Sequence, residues 1–544
     1  MTLYLEQQAI GNWPEPLETI WQVLGGQAAG QLAPKLPHLG LADILFMTTV
    51  MSLARADRPW GIVTWMSEVF ALSRPGLYDL TKRVTERLLS VSQPVALLGS
   101  GEPNGATIEV TPNRLARTIL TAACPGKMAI RPTQRLLAEA FDQSRSVGWI
   151  SQLLREAGCR AGQVLGQIDT TALKNVIVAR DETFFQGQPL LLIIDPVSTT
   201  ILLAQACPDR QADTWGAALL MAQEQGATIG GLVEDMARMY PKSQQEAELE
   251  LAVQKDSWHI QRDGSQVRCD LERAAFRATG QVINLEKDLL KQWDDQLFEE
   301  KYIPAVAKEE RLYDQHDHFA HWLTHLHDAL ELVDWRSGEI RDQATNDWLL
   351  SETLTAMANI DHPRVKKWVK TLRRHQPQLL TCLDWLAGSL QPFQDQLAQL
   401  LPQPARQQTF SRTVARYWRL QQALINGHTH FQSQAQEAQT TLQSLLADYP
   451  ELQPLADRLL TLLDAACRTS SLIENINGLL QQFLHHHRAF RNLDTLQLYL
   501  NLFTLWHNMR IFERGKRQGH SPYQIAGIDP GAVDWLALIG YPAE

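Results

Sequence analysis

The chain has 544 residues, 44% apolar and 20% charged, which excludes wholesale disorder and exceeds what one ordinary hydrophobic core holds. Fifty Lys and Arg against 60 Asp and Glu leave a formal charge of −10, which excludes a uniformly basic coat for nucleic acid but not local basic patches. Six scattered cysteines without a Cys-x-x-Cys pair exclude a zinc ribbon and a disulfide framework, and a reducing cytosol is the expected compartment.

The start, MTLYLEQQAIGNW, lacks the basic-then-apolar order of a secretory signal. Residues 1–165 read as mostly helical, with breaks at Pro and Gly. Thr64 to Val84 has the pattern of a helix-turn-helix: Val69 and Phe70 on a first apolar face, Ser73 as cap, Pro75 in the next first turn, then Leu77, Leu80 and Val84 at helical spacing. That second helix offers Arg74, Tyr78, Lys82 and Arg83 to DNA, although the same residues suit a plain structural hairpin with a solvated face. Pro132 to Arg160 forms another helical unit. Ser144 or Ser146 caps its helix with Val147, Ile150, Leu153 and Leu154, and DNA reading and packing are equal candidates. Residues 1–165 carry a net charge of +2, a weak sign favouring nucleic acid at this end.

Residues 166–260 change character to an α/β unit. Asn175 to Phe185 reads as a strand, on which Asp181 and Glu182 point to opposite faces. Gln188 to Ser198 and Thr199 to Ala206 read as an antiparallel hairpin whose turn uses Asp195, and that Asp-Pro break also excludes a membrane span. A helix from about Asp213 to Gln225 and a strand ending at Glu234 and Asp235 follow. Three strands, a helix and a strand is the order of a ribonuclease H-like mixed sheet. The overall class is therefore α/β plus all-α, with helical units in front of the sheet and a large helical insertion within it.

Residues 261–467 return to helix, with apolar residues at spacing three and four. They form a separate insertion, because about 240 residues lie between Asp235 and Glu474. Lys366, Lys367, Lys370, Arg373 and Arg374, with Arg364, surround Trp368 on one basic helix that suits a DNA backbone or a solvated face. His316, His318, His321, His325 and His327 crowd one stretch, but HWLTH lacks the Glu of a metalloprotease motif. His485, His486 and His487 are consecutive, so they fan around a helix and cannot chelate as a set. The last part, 468–544, is a long helical pattern with Arg510, Arg514, Lys516 and Arg517 near its end.

Three stretches together resemble the DDE transposases of bacterial insertion sequences. They are DETFFQGQPLLLIIDPVSTTILL with DTWGAALLMAQEQGATIGGLVED, then RTSSLIENINGLLQQFLHHHRAFRN, then the tail with Arg517, Gly519, Ser521 and Pro522 in order. Helical insertions at the same point occur in the eukaryotic hAT group, where they help hold transposon ends. The resemblance implies metal-dependent cleavage of DNA at transposon ends and transfer of the freed 3′-hydroxyl into target DNA. It implies catalytic and metal-binding carboxylates at Asp181, Asp235 and Glu474, with Glu182 and Asp169 as rivals of the first. Glu234 and Asp256 are rivals of the second, Asp256 being the fallback ligand. KDSWHI resembles a motif whose His, here His259, contacts the scissile strand. Two Mg²⁺ ions, or Mn²⁺, would be held about 3.5–4 Å apart. Double-stranded DNA, both element ends and target, would be the partner of a homodimer or higher oligomer in the bacterial cytoplasm at the nucleoid, with no membrane involved. Alternatives of other classes are a catalytically inactive or domesticated DNA-binding derivative, and a ribonuclease H-fold nuclease without strand transfer.

Overall fold

The computed structural model describes residues 41–52, 62–92, 109–487, 489–532 and 534–544. The expected helicity of residues 1–40, and the reading of the N-terminal thirteen, lie outside the described residues. The chain divides into two compact units, Met1–Glu109 and Val110–Glu544. The sequence boundary at 165 therefore falls inside the second unit.

In the first unit, α1 (Leu41–Ser52), α2 (Ile62–Val69) and α3 (Arg74–Ser92) share a core of Ile44, Met47, Met51, Met66, Leu77, Leu80 and Val84. Ser73 Oγ accepts the Gly76 N–H at 3.1 Å, satisfying one of the free donors at the start of α3. Phe70 packs on Phe46 and Trp65 as its pattern requires. Val69 does not: it is 51% exposed, because α2 ends there and the turn carries it away from the core.

The second unit begins with α4 (Pro112–Ala123), α5 (Ile130–Phe141) and α6 (Val147–Leu165). Ser146 caps α6 through the Trp149 N–H at 3.1 Å. Ile150, Leu154, Ala157 and Ala161 are buried, and a Cβ on Gly158 would stand 2.3 Å from the Leu498 carbonyl oxygen. That close approach makes α6 a packing helix against α18 (Leu493–Met509).

The sheet comprises β1 (Val176–Phe185), β2 (Gln188–Ile194), β3 (Ile201–Ala206), β4 (Ile229–Glu234) and β5 (Ala252–Lys255), with α7 (Ala212–Met221) before β4 and α8 (Met239–Glu246) after it. The strand order is β3-β2-β1-β4-β5. β1, β2 and β3 are antiparallel neighbours, and β4 and β5 join in parallel. The hairpin turn uses Asp195 as expected: its carboxylate accepts the Val197 and Ser198 N–H groups at 3.1 and 2.9 Å. β2 is apolar from Pro189 to Ile194 because both faces are covered there. Leu190, Leu192 and Ile194 meet α4, α6, α17 (Ser471–Leu484) and α18, whereas Leu191 and Ile193 meet Trp215 and Leu219 of α7 and Tyr240 of α8.

Helices α9 to α16 fill the span between β5 and α17: Ser257–Lys291, Ile303–Ala329, Gln343–Ala358, Pro363–His375, Thr381–Leu400, Pro404–Ile425, Gln432–Asp448 and Gln453–Ala465. Most of them share a core separate from that of the sheet. This insertion docks on edge strand β5. The Gln254 side chain donates to the Leu379 carbonyl at 2.9 Å and accepts the Cys382 N–H at 2.8 Å, and Thr381 Oγ1 donates to the Val253 carbonyl at 2.8 Å, which covers an edge-strand group. No helix among the described residues is long and apolar enough to cross a membrane.

Candidate active site

Two adjacent strands set up the site by alternation. β1 and β4 are parallel with Ala179 opposite Val233. Continuing that register brings Arg180 beside Glu234 and Asp181 beside Asp235, on opposite faces. On one face, Arg180 and Glu234 are buried. Arg180 Nε donates to Glu234 Oε2 at 2.8 Å and Lys255 Nζ to Oε1 at 2.6 Å. Arg180 also lies over the Tyr240 ring and donates to Ser243 Oγ at 2.8 Å. Glu234 is thus spent on an ion-pair network, which removes it as a rival of Asp235.

On the other face stands Asp181. Burial and the negative charges of Glu474, Glu182 and Asp235 push its carboxyl up to about 7. Asp235, just beyond β4, is also raised, chiefly by burial, although its Oδ1 accepts the Ala237 N–H at 2.7 Å. No salt bridge reaches either residue among the described residues. Glu474 lies in the first turn of α17, a favourable place for a carboxylate. Helix α17 runs beside β1: Asn477 Nδ2 donates to Asp181 Oδ2 at 2.9 Å, and Gln481 Nε2 to Thr183 Oγ1 at 2.9 Å. The rivals of Asp181 are otherwise occupied. Glu182 accepts the Tyr240 hydroxyl at 2.7 Å and pairs with Arg210, while Asp169 caps its own turn through the Thr171 N–H at 2.8 Å.

Asp256 joins three elements. It follows β5, caps α9 through the Trp258 N–H at 2.7 Å, and accepts the Ser470 N–H at 3.0 Å, the Ser470 hydroxyl and His259 Nδ1 at 2.7 Å. Burial alone would raise its carboxyl, but the bonds from His259 and Ser470 hold it below the usual range. Burial likewise opposes a charge on His259, yet Asp256 outweighs that and raises it. His259 Nε2 lies 3.8 Å from Glu474 Oε1. Asp256 therefore orients His259 and anchors the start of α17, a full set of bonds that leaves it a poor substitute for Asp235.

Arg74 donates to Thr64 Oγ1 at 2.7 Å and Arg83 pairs with Asp79 at 2.8 Å, while Tyr78 is exposed and Lys82 stands on the same helix. On α12, Trp368 is buried, Lys366 pairs with Asp361, Arg373 donates to Thr355, and Lys367, Lys370 and Arg374 are exposed. The last cationic group is not helical: α18 stops at Met509. Arg514 is exposed, Lys516 pairs with Asp464 at 2.8 Å, and Arg517 donates to the Pro196 and Val197 carbonyls, tying the tail to the β2–β3 turn. His485 to His487 also fall after α17 ends at Leu484, and His487 packs against Phe490 and Tyr499.

Sequence reasoning missed Ser470 and Asn477. The only signal for Asn477 is its position one turn after Glu474. Among the described residues, no three His, Cys, Asp or Glu side chains are grouped closely enough to hold a metal ion. The donors nonetheless suit a hard cation in kind: oxygens throughout, with surplus negative charge and one buried amide oxygen, Asn477 Oδ1, lacking a donor.

No protein family and no curated protein matches the chain. Among solved structures it is similar to the Drosophila P element transposase strand transfer complex, at 12% identity over 78% of this chain and 97% of that one, with a TM-score of 0.30. A likeness of that degree says nothing about the chemistry of this chain.

Proposed function

We propose that the chain is a DDE-type transposase with a ribonuclease H-like core, cutting DNA at element ends and joining the 3′-hydroxyl to target DNA. The observation that carries this reading is the half-buried Asp181 carboxylate on the open face of β1, which has a hydrogen bond from Asn477 but no cation paired with it among the described residues, while the charges of Glu474, Glu182 and Asp235 oppose its own. Uncompensated buried negative charge is costly, and a functional site is the usual reason for it. The strand order β3-β2-β1-β4-β5 supports the same reading of the core.

In this proposal Asp181, Asp235 and Glu474 would hold two Mg²⁺ or Mn²⁺ ions once α17 moves toward the strand ends. When bound, these ions supply Lewis acidity at the attacking and departing oxygens of an in-line displacement. His259, whose charged form Asp256 favours, meets a phosphate of the scissile strand. Tyr78, Lys82 and the neighbouring Arg74 and Arg83 contact the DNA, as do Lys367, Lys370 and Arg374 on α12, with Arg514 nearer the tail. The bonds of Lys516 and Arg517 assign them to holding the tail. Two transposon ends call for at least two protomers.

The test is nicking of a supercoiled plasmid carrying the DNA that flanks the coding region, with Mg²⁺ or Mn²⁺. Metal-dependent nicking by the wild type and none by Asp181→Ala is expected; nicking that survives the substitution overturns the assignment. A second reading, a DNA-binding derivative without catalysis, draws on the open spacing of the carboxylates. Specific binding without nicking would select it. Nicked ends that never join a target plasmid would select a nuclease.

A further inference from the structure

Asn477 is the residue that the proposed chemistry leaves unexplained. It sits one turn after Glu474 on the face of α17 turned to β1, and it is only 5% exposed. Its Nδ2 donates to Asp181 Oδ2 at 2.9 Å. In the ionised form that would bind a cation, Asp181 offers acceptors only, so the nitrogen faces it and the oxygen is the free end of the amide. That oxygen is buried and has no donor. A buried carbonyl oxygen without a partner loses its hydration for nothing, at a cost of about 1–3 kcal/mol.

Covalent amide geometry places Asn477 Oδ1 within about 5 Å of the Asp181 carboxylate oxygen. Two oxygens on one Mg²⁺ stand at most about 4 Å apart, so a modest shift of α17 brings both onto a single cation. A neutral oxygen is a useful fourth donor, because the site already holds more negative charge than it can disperse.

We propose that the Asn477 side-chain carbonyl is a further protein ligand of the divalent cation held by Asp181 and Glu474. This rests on the metal-dependent reading above. It assigns Asn477 two tasks on one side chain, with the amide nitrogen aligning Asp181 and the oxygen completing the cation's shell.

The experiment is Mn²⁺ binding to the full chain, followed by electron paramagnetic resonance, for the wild type, Asn477→Leu, Asn477→Asp and Asp181→Ala. Melting in EDTA reports on folding. Asn477→Leu keeps the volume and removes the oxygen, and binding is expected to weaken by about tenfold or more. Asn477→Asp has no N–H for Asp181 but keeps an oxygen, and it is expected to bind Mn²⁺ at least as tightly as the wild type. Wild-type affinity in Asn477→Leu overturns the proposal. So does equal weakening in both variants, which would mean that only the bond to Asp181 matters. Undiminished binding in Asp181→Ala, or none in the wild type, overturns the underlying metal site as well and is seen without reference to Asn477.

Discussion

Two pairs of neighbours in the sequence, Arg180 with Asp181 and Glu234 with Asp235, end up on opposite faces of the same two strands. On one face the carboxylate of Glu234 is closed in by Arg180 and Lys255, with every charge paired. On the other, Asp181 faces further carboxylates and its own charge is opposed. Glu234 is fully buried and Asp181 half-buried, and that difference alone does not distinguish structure from function here. Compensation does: a fold that needed only stability would have supplied cations on both faces.

The sharpest way to break this contrast is Glu234→Gln. It leaves Arg180 and Lys255 buried with surplus charge, and a loss of about 3–5 kcal/mol in urea unfolding is expected. A loss below about 1 kcal/mol would show that the network is not the closed structural unit described.

Asp181→Asn should act in the opposite sense. The unfolded carboxyl ionises near pH 4, whereas the folded one does so only at about 7. Between those values the folded state holds the extra proton, so metal-free stability falls as pH rises through the window. At pH 8 the whole penalty is present, and the variant is expected to be more stable than the wild type by up to about 4 kcal/mol. At pH 3 the two should coincide. A destabilised variant at pH 8 would remove the distinction between the faces.

Much of this contrast was legible before any coordinates. Alternation on β1 separates Asp181 from its neighbours, and the Asp-Pro turn marks the hairpin. β5 escaped because four residues, Ala252 to Lys255, carry no apolar pattern of their own; β4 and the docked insertion make them a strand. The choice between Glu234 and Asp235 was closed to sequence, since it depends on where Arg180 and Lys255 reach. The role of Arg517 was hidden for a similar reason: the carbonyls it bonds lie about 320 residues away, and cations near a helix end look alike on paper.

A third buried titratable group tests the same rule with the sign reversed. Burial and the charge of Arg510 push the His507 imidazole down to about 3, and its Nε2 pairs with the Thr199 carbonyl at 2.9 Å. The unfolded imidazole takes its proton near pH 6.5, so stability is present above that value and drains as pH falls toward 3. Between pH 7 and pH 5 the loss should be about 2 kcal/mol in the wild type. It should be smaller in His507→Gln, measured by the same unfolding series. An equal slope in both would mean that this histidine is charged in the folded chain.

The smallest effect on folding is expected from the exposed cations of α12, where the distinction between paired and unpaired charge reappears on the surface. Lys367, Lys370 and Arg374 stand opposite the buried edge of Val365, Trp368, Val369 and Leu372, which packs the helix on the insertion core. Replacing all three with alanine should change stability by less than about 0.5 kcal/mol each. If these side chains meet phosphates, plasmid binding should lose about three units of slope in log affinity against log salt, uniformly across sequences. Arg517→Ala makes the matching control. Its guanidinium is already committed to the Pro196 and Val197 carbonyls, so its loss should loosen the β2–β3 turn and leave the salt slope unchanged. A shallower slope for Arg517→Ala, with none for the triple variant, would move the DNA path from the insertion to the tail.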